Sequence, residues 1–592
     1  MLAAYRRLFA GFRGYGKLFL LCQALLLVSG AASIGMAAAT QHVINAGLVA
    51  GDTDAIVTTG IWMAALAVVS GLTMAGAAAI AVFFMQGTVW GVRTEVFSRI
   101  QAYSFENFDR LHTSNLLVRL SSDVDNVGWA VLYGALLLLY APFMAVIAFV
   151  LTLWQAPSLA WLLVAATILV IGLMAVIAPR IDRAYVERQE RLDDVNAALQ
   201  ESLAGVRVVK AFTREKLEAD RFRERATAMR RPAFKAAFSV ALMQPLINVA
   251  AQTTIMVSLW YGGARVLGGS LGLGELVAFS QYLSLVAAPL AVLAIVVPSI
   301  LRGGASIRRL LEAYDAVPAV RDAEDARAVE PAGLRGRVAF EDVSFAFRRA
   351  DGALESPVLE HVDLTVEPGE RVGILGATGS GKTALVSLVP RFYDVVAGRV
   401  TIDGIDVRDL RQDDLRSCVG VALQEAVLFQ GDVRFNLKFG APEADDDLMK
   451  AAARAADAEE FVDALPGAWD APVARRGYNF SGGQRQRLSI ARALLPRPRV
   501  LIFDDSTSAL DVATEARVQA AIPEFAEGAT TLYVAQRISA VIDLDKIVLL
   551  DEGRIADVGT HEELLERSPL YRDIYESQLG AGLMPQGTGG VA

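Results

Sequence analysis

Hydrophobic positions follow different patterns in the two halves of the chain. Up to about Leu301 they form long runs, whereas from Arg302 onward short apolar stretches alternate with charged residues, glycine and turn residues. The second pattern is typical of a soluble α/β domain, and a run of about 20 apolar residues can cross a bilayer as a helix. The first half therefore predicts six membrane spans, near residues 18–40, 56–82, 130–153, 159–178, 238–261 and 276–300.

Lysine and arginine are unevenly distributed over the loops between these spans. Loop 41–55 and turn 154–158 carry none, and the loop before the last span has only Arg265. The opposite side carries the N-terminal basic residues, the arginines of residues 92–124 and a dense basic set in residues 180–235. Since basic residues accumulate on the cytosolic side, we expect a multi-pass protein of the inner (cytoplasmic) membrane with both termini in the cytosol.

The composition agrees with a chain that lies largely in lipid. Of the 592 residues, 54% are hydrophobic and 20% are charged, and the predicted spans contain almost no ionisable side chains. Because a charge inside the membrane usually marks an ion or proton path, ion-coupled transport is disfavoured. The net charge of −9, without a dense basic block, argues against nucleic acid as a partner. Cys22 lies in an apolar run and Cys418 in the second half of the chain, so we expect neither a disulfide between them nor a metal site.

Polar residues recur at every fourth position of the fifth predicted span. Gln244, Asn248 and Gln252 therefore share one helix face, and Gln281 and Ser284 add polar groups to the sixth span. Such a face either lines a translocation cavity or joins helices through hydrogen bonds, and both interpretations stay open. A neutral cavity favours an amphiphilic or apolar cargo.

The second half contains a phosphate-binding loop. A short apolar strand at residues 372–375 leads into Gly376, and the following residues complete the pattern G-x-x-x-x-G-K-[ST] up to Thr383. The glycines let backbone N–H groups surround phosphates at a helix N-terminus. Lys382 is expected to reach the outer phosphates, and the Thr383 hydroxyl is expected to bind Mg²⁺.

A second apolar strand, residues 500–504, ends in a carboxylate. Asp504 is placed to hold Mg²⁺, as in a Walker B motif, and Asp505 follows it directly. Between the two motifs lies Ser481-Gly482-Gly483-Gln484, which opens a helical stretch and forms a further helix N-terminus suited to phosphate.

This order of motifs resembles the ATP-binding cassette (ABC) proteins. A phosphate-binding loop followed roughly 100 residues later by Ser-Gly-Gly-Gln, just before a Walker B strand, is similar to the ABC signature. The helical connections 95–126 and 182–233 resemble the intracellular loops of ABC exporters, whose short tip helices dock on the ATPase domains. The segments that carry this resemblance are residues 105–110, 117–124 and 201–212.

The resemblance implies an architecture for nearly the whole chain. The fold class is an all-α transmembrane domain of six helices with long cytosolic extensions, followed by an α/β P-loop ABC ATPase domain. The expected boundaries are a transmembrane domain at 1–315, a linker at 316–335, the ATPase domain at 336–580 and a flexible tail at 581–592.

The resemblance also assigns roles to individual residues, with ATP and Mg²⁺ as cofactors. The aromatic Phe347 is expected to stack on adenine, Gln424 to contact Mg²⁺, and Asp511 to belong to the D-loop. Metal ligation falls to Thr383, Gln424 and Asp504, and the signature Ser481, Gly482, Gly483 and Gln484 would act on the nucleotide of a partner subunit. The expected ATP-binding set is Phe347, Gly376, Thr378, Gly379, Ser380, Gly381, Lys382, Thr383, Ala384 and Gln424.

Two positions concerned with hydrolysis depart from the family. Asp505 stands where a catalytic Glu is usual, and Gln536 stands where the switch loop carries His; Arg475 and Arg476 also replace an often acidic segment. The residues that hold ATP are intact. This pattern resembles the degenerate-site subunit of bacterial heterodimeric multidrug exporters and favours a heterodimer with a second half-transporter. A homodimer with two slow sites is the alternative.

The expected function is ATP-driven export of amphiphilic or hydrophobic compounds, of the multidrug, lipid or peptide type. Three alternatives remain. One is an importer built on the exporter fold, the second is an ATP-gated channel or regulatory ABC protein, and the third is a soluble ABC ATPase, which the predicted spans oppose.

Overall fold

The computed structural model describes residues 16–137, 140–330, 333–349 and 352–579. The side chains of residues 178, 244, 287–291 and 293–295 are not described. The N-terminal arginines before Gly16 and the predicted tail at 581–592 also lie outside the described residues. The chain divides into two compact units, a helical unit of Met1–Gln101 with Ser114–Asp315 and an ATPase unit of Ala102–Thr113 with Ala316–Ala592.

The helical unit is built from the apolar runs of the first half. Helices form there because backbone polar groups have no water to bond with inside lipid. A π-helical turn, Val43–Val49, extends the first helix, and another, Arg119–Asp123, precedes α5. The helices up to the last span are α1 Gly16–His42, α2 Thr53–Gln101, α3 Phe105–Leu111, α4 Thr113–Val118, α5 Val124–Leu137, α6 Tyr140–Gln155, α7 Ala160–Ala204, α8 Val206–Ala211, α9 Glu215–Leu267 and α10 Leu273–Asp315.

Five stretches in the described residues are long and apolar enough to cross a membrane. They are Gly16–Val49, Thr53–Gln101, Thr113–Gln155, Pro157–Ala204 and Glu215–Leu267. The sixth predicted span, residues 276–300, lies within the continuous helix α10, but its described apolar part is the shorter segment Leu273–Val286. The number six is therefore not confirmed, and this last span stays a prediction.

Two helices extend well beyond the thickness of a bilayer. The 45 residues of α7 and the 53 residues of α9 correspond to about 68 Å and 80 Å of helix, against roughly 30 Å of hydrocarbon. The polar parts of the two helices contact each other, and Lys235 Nζ of α9 lies 3.6 Å from Glu187 Oε2 of α7. The excess length explains why the second long connection has helical periodicity.

A buried carboxylate joins the turn before α5 to α10. Asp123 is 1% exposed, and it accepts hydrogen bonds from Ser306 Oγ at 2.8 Å and from Arg309 Nε at 2.9 Å. A second pair, Arg119 with Glu312, lies 3.0 Å apart on the same two elements. A buried charge requires a partner, so these contacts specify how the two helical segments pack.

The ATPase unit contains two main sheets. The larger has the order β12-β11-β3-β10-β9-β6, the smaller has the order β2-β1-β4-β5, and β7 pairs with β8. The strands are β1 Val338–Phe345, β2 Leu359–Val366, β3 Arg371–Leu375, β4 Ala397–Ile402, β5 Ile405–Asp406, β6 Val419–Ala422, β7 Gly431–Asp432, β8 Pro472–Val473, β9 Val500–Asp504, β10 Thr530–Ala535, β11 Lys546–Asp551 and β12 Arg554–Gly559.

Besides α3, nine α-helices lie in the described part of the ATPase unit. They alternate with the strands along the chain. In chain order they are α11 Lys382–Ser387, α12 Gln412–Cys418, α13 Val433–Leu437, α14 Asp446–Ala455, α15 Glu459–Asp463, α16 Gly482–Leu494, α17 Val512–Phe525, α18 His561–Arg567 and α19 Pro569–Leu579.

The central strands are buried on both faces. Successive residues of a strand point to opposite sides, and two hydrophobic clusters form accordingly. Phe503 and Tyr533 belong to one cluster, whereas Ile502, Leu532 and Val534 belong to the other. This double burial explains the continuous apolar runs at residues 372–375 and 500–503, since parallel strands are covered on both faces.

The predicted linker is held along the surface of the ATPase unit. Val320 is 3% exposed, the Arg327 amide donates to the Asp409 carbonyl at 2.7 Å, and the Val329 amide donates to Asp414 Oδ2 at 3.1 Å. The described part of residues 316–335 is therefore packed chain rather than a loose tether.

We expect Gly398→Ala to destabilise the protein far more than Gly404→Ala. Both glycines have positive φ, 77° and 80°, so alanine costs about 1 kcal/mol or more in backbone strain at either site. Only at Gly398, opposite a bulge in β1, would a Cβ lie 2.2 Å from the Asp342 carbonyl oxygen, which adds roughly 1–3 kcal/mol. Thermal unfolding of the two full-length variants measures the difference. Equal midpoints would contradict the register of β1 and β4.

Candidate nucleotide site

The phosphate-binding loop connects β3 to α11 through a backbone that glycine must supply. Gly379 and Gly381 have φ of 87° and 98°. A Cβ at Gly376 would lie 2.2 Å from the Leu550 carbonyl oxygen, and one at Gly381 would lie 2.9 Å from the Val358 carbonyl oxygen. The loop therefore stays close to the sheet, and its amides remain available at the start of α11.

Lys382 is folded back over this loop. Its Nζ donates to the carbonyl oxygens of Gly376 and Ala377, both at 2.8 Å. Burial lowers the pKa of Lys382 below its ordinary value, while the carboxylates of Asp505 and Asp504 oppose the shift. An ammonium group held in this position can exchange its carbonyl partners for phosphate oxygens, as expected for this motif.

The other loop residues divide by burial. Thr378 and Gly379 are exposed at the tip, whereas Ser380 is 5% exposed and its Oγ has no hydrogen-bond partner among the described residues. The methyl group of Ala384 belongs to the hydrophobic core, so its backbone is the part left for phosphate.

Thr383 and Asp504 meet at the end of the central strands. Thr383 Oγ1 donates to Asp504 Oδ1 at 2.9 Å. Burial raises the pKa of Asp504, the neighbouring Asp505 charge adds to this shift, and the Thr383 hydrogen bond opposes it. A hydroxyl and a carboxylate are oxygen ligands that suit Mg²⁺. Among the described residues no group of three or more His, Cys, Asp or Glu could hold a metal ion.

The carboxylate of Asp505 accepts hydrogen bonds from two amide side chains. Its Oδ2 accepts from Gln424 Nε2 at 3.3 Å and from Gln536 Nε2 at 3.4 Å. Its backbone has φ of 47°, and its amide donates to the Val534 carbonyl oxygen at 3.0 Å. Aspartate tolerates this left-handed conformation better than most residues. The structure thus brings together the two predicted non-consensus residues and the predicted Q-loop glutamine.

Phe347 lies just beyond β1 in an aromatic cluster. Its ring makes edge contacts with Phe345 and Tyr393, at centroid distances of 4.9 Å and 5.4 Å. The ring is half-buried, so part of its surface remains free for a planar partner. Stacking on adenine stays a prediction.

The signature residues form the N-terminus of α16. Ser481 Oγ accepts from the Gln484 amide at 3.2 Å, and Gln484 Oε1 accepts from the Ser481 amide at 2.9 Å, which is a capping box. A Cβ at Gly483 would lie 3.3 Å from the Ala509 carbonyl oxygen, and one at Gly482 would lie 3.6 Å from the Ala509 Cβ. The turn therefore rests on the segment after Walker B rather than on the chain's own phosphate loop.

The segment predicted to be the D-loop is held by side chains whose role the sequence did not reveal. Gln486, 5% exposed, accepts from the Ala509 amide at 2.9 Å and donates to Ser508 Oγ at 3.3 Å. Asp511 caps α17 through the amide and hydroxyl of Thr514, and these hydrogen bonds lower the pKa of Asp511. The predicted D-loop residue is thus a helix cap in this chain.

The short helix α3 contacts the ATPase fold through aromatic and polar groups. Phe105 stacks on Phe392 with a centroid distance of 4.4 Å, and Tyr393 Oη donates to Asp109 Oδ2 at 2.7 Å. Burial and Asp109 together raise the pKa of Tyr393. Residues 105–110 were expected to dock on an ATPase domain, but nothing in the sequence indicated Phe392 and Tyr393 as their partners.

Helix α3 also binds the linker. Asn107 Nδ2 donates to the Val317 carbonyl oxygen at 3.0 Å, and Asn107 Oδ1 accepts from the Ala319 amide at 3.0 Å. On the other side of the linker, Arg391, 4% exposed, donates to the Arg321 carbonyl oxygen at 3.0 Å. For the second predicted tip, α8, docking stays a prediction.

The fold and the site define a P-loop ATPase joined to a bundle of membrane-length helices. Two family models match the chain: "ABC transporter transmembrane region" over residues 19–290 and "ABC transporter" over residues 359–508. The chain belongs to the ABC transporter family, as a half-transporter of the exporter type with a transmembrane and an ATPase domain on one polypeptide. Such proteins are multi-pass, have a cytosolic ATPase domain, couple ATP hydrolysis to transport and typically act as dimers.

Relatives match along most of the chain. An uncharacterised ABC transporter ATP-binding protein of Mycobacterium tuberculosis is 35% identical over 572 residues, covering 96% of this chain and 97% of the relative. The ATP-dependent lipid A-core flippase of Syntrophus aciditrophicus is 33% identical, covering 84% and 81%. The structure of a bacterial Atm1-family ABC exporter with ATP bound is similar with a TM-score of 0.80, at 25% identity, covering 97% of this chain and 100% of that one.

We expect Asp504→Asn to remove most of the Mg²⁺-dependent gain in ATP affinity. In the unmodified protein this gain should fall as the pH drops through the raised pKa of Asp504, because a proton then competes with the cation. In the variant this pH dependence should be absent. Calorimetric titration of ATP with and without Mg²⁺, over a pH series, measures both effects.

The matched control for this experiment is Asp505→Asn, a neutral change one residue further on that leaves the bond from Thr383 to Asp504 in place. If the control, rather than Asp504→Asn, abolished the Mg²⁺ effect, the assignment of the metal ligand would be wrong.

Tyr393→Phe and Asp109→Asn should have non-additive effects on the ATPase rate of the full-length protein in lipid. Each change weakens the same hydrogen bond, so the double variant should lose no more activity than the more affected single variant. Tyr393→Phe keeps the ring contacts with Phe345 and Phe347, so its thermal midpoint should stay within about 2 °C of the parent. Additive losses would show that the two side chains act separately.

Proposed function

We propose that the protein is one subunit of a heterodimeric ABC exporter in the inner membrane, with six spans and cytosolic termini. Its partner is a second, different half-transporter. Each ATP, with Mg²⁺, lies between the phosphate loop of one chain and the signature of the other. The cargo is an amphiphilic or hydrophobic compound of the drug, lipid or peptide type.

The observation that carries this proposal is the contrast between the two sides of the nucleotide site. On the binding side Lys382, Thr383 and Asp504 make the contacts expected of an intact site. On the hydrolysis side Asp505 is one methylene shorter than the usual Glu, so its carboxylate falls short by about 1.5 Å. A displacement of that size can cost about a hundredfold in rate.

Gln536 reinforces the contrast. An amide does not change its protonation state near neutral pH, whereas the histidine usual in this loop does. In this chain the amide of Gln536 points to Asp505 Oδ2, at 3.4 Å, as a neutral hydrogen-bond donor. Both departures therefore affect water activation and leave ATP binding intact, which supports a site that binds ATP and hydrolyses it slowly.

The signature of this chain supports the second half of the proposal. Ser481 and Gln484 form a complete capping box, and both glycines are present at the start of α16. An intact signature paired with a weakened hydrolysis side fits a chain that completes its partner's active site. Hydrolysis there would reset the transporter.

Closure of the ATPase units would reach the membrane helices through α3. The helix is bound to Tyr393, next to the expected adenine platform, and to Val317 and Ala319 of the linker that follows α10. Movement of the nucleotide site therefore acts on both chain segments that lead into the helical unit. In this alternating-access mechanism, the contacts of α3 transmit closure at the nucleotide site to the membrane helices.

The cargo class rests on the neutral polar face of α9. Asn248 and Gln252 are exposed on this helix in the single chain, and the side chain of Gln244 lies outside the described residues. Gln281 is different, because its Nε2 donates to Thr40 Oγ1 at 3.2 Å and so joins α10 to α1. The relative named as a lipid A-core flippase supports a lipid-like cargo.

The double substitution Asp505→Glu with Gln536→His should raise ATP turnover of the purified chain by about tenfold or more, because it restores the reach of the carboxylate and a titratable switch residue. In a complex with the product of the neighbouring reading frame, Asp505→Asn should slow turnover only modestly. Replacing the partner's Glu after Walker B should abolish it.

Two outcomes would contradict the asymmetric model. One is complete loss of turnover on Asp505→Asn in the complex. The other is full activity of the chain alone as a homodimer, unaffected by the neighbouring gene product.

A further inference from the structure

The last described helix, α19, is firmly anchored to the ATPase unit. Tyr571 is fully buried and Tyr575 is 7% exposed, and both belong to the main hydrophobic core. His561 Nδ1 and Tyr571 Oη are 2.7 Å apart, which ties α19 to α18. Gln578 follows Tyr575 by three residues, so these side chains share a face of the helix. The position of Gln578 is therefore set by the core.

Gln578 makes two hydrogen bonds to the backbone of the switch loop. Its Oε1 accepts from the Ile538 amide at 2.8 Å, and its Nε2 donates to the Gln536 carbonyl oxygen at 2.9 Å. A glutamine amide has one acceptor and one donor group, and here both are used on either side of Arg537. The pairing of β10 with β3 ends at Ala535, so the backbone just beyond the sheet is bonded to the Gln578 side chain instead of to a strand.

Arg537 binds the same loop to the segment that follows Asp505 and to α17. Its Nη2 donates to the carbonyl oxygens of Ser508 at 3.2 Å and Thr507 at 3.4 Å, and it lies 3.7 Å from Glu515 Oε2. The switch loop is thus clamped between α19 and the segment that follows Asp505.

We infer that Gln578 is a positioning residue for ATP hydrolysis, which fixes the backbone of Gln536 so that its side chain reaches Asp505. The side chain of Gln536 lies 3.4 Å from Asp505 Oδ2, near the limit of a hydrogen bond, so a small shift of its backbone breaks the contact. Both hydrogen bonds of Gln578 go to backbone atoms, so it acts through the conformation of the loop. This role holds whether the chain pairs with itself or with a different partner, and so goes beyond the proposed function.

A purely structural role for Gln578 makes a different prediction. If the two hydrogen bonds only attached the end of α19, their loss would change thermal stability and leave the chemical step alone. If they position Gln536, their loss would change the rate of hydrolysis and leave ATP affinity unchanged.

The test uses the full-length protein and three variants. Gln578→Ala removes both hydrogen bonds, Gln578→Glu keeps the acceptor for Ile538 but sets an oxygen against the Gln536 carbonyl, and Ser577→Ala is the control on an exposed neighbour. Hydrolysis of pre-bound radiolabelled ATP in a single turnover measures the rate at the chain's own site. Equilibrium titration measures ATP affinity, and thermal unfolding measures stability.

Both Gln578 variants should slow the single turnover by about tenfold, with ATP affinity within about twofold of the parent. Ser577→Ala should leave rate, affinity and midpoint unchanged. In a Gln536→Ala background, Gln578→Ala should cause no further loss, because the residue it positions is already absent.

An equal loss in the Gln536→Ala background would overturn the inference, as would an unchanged rate or a loss confined to ATP affinity or stability. Gln578 and the loop that it holds belong to one chain, whichever subunit supplies the signature to the site. The comparison of variants is therefore made in whichever dimer hydrolyses ATP, and failure here is distinguishable from failure of the heterodimer proposal.

Discussion

The hydrogen bond from Thr383 Oγ1 to Asp504 Oδ1 fixes the geometry on which the rest of the ATPase unit depends. Thr383 follows β3 and Asp504 ends β9, and these strands lie on either side of β10. Parallel strands end at one edge of the sheet, so the bond joins the phosphate loop to the carboxylate across the end of β10. Gln536 continues from β10 at the same edge and meets Asp505 there. Sheet order thus gathers residues from three distant segments of the chain, at Thr383, at Asp504 with Asp505, and at Gln536.

The parts of the site that could be predicted from the sequence depend on neighbouring residues. Gly376, Gly381 and Lys382 form one short motif whose backbone conformation only glycine allows, and Ser481 with Gln484 closes a cap within four residues. The same holds for the long helices, because apolar runs and periodicity are local signals. The last span is a partial exception: its helix is continuous, but the described apolar segment is short.

The contacts that the sequence did not reveal join distant parts of the chain. Tyr393 and Asp109 are 284 positions apart, and Gln578 lies 42 positions from Gln536. A single polar residue on an amphipathic helix has no spacing or composition that marks its partner, so tertiary packing alone determines these pairs. The contacts of the predicted linker are hidden from the sequence for a similar reason, because its backbone is bonded to side chains such as Asp414 that belong to another element.

The contacts that Asn107 and Arg391 make with the linker have a consequence for any fragment of this protein. The ATPase unit includes residues 102–113 and the chain from Ala316, although sequence motifs place the start of the domain near residue 336. A fragment cut at 336 would uncover the ring of Phe392 and remove the Arg321 carbonyl, one of the partners of the buried Arg391 guanidinium. Newly exposed aromatic surface promotes self-association. A well-behaved isolated ATPase would therefore have to keep the linker and receive residues 102–113 as a separate peptide.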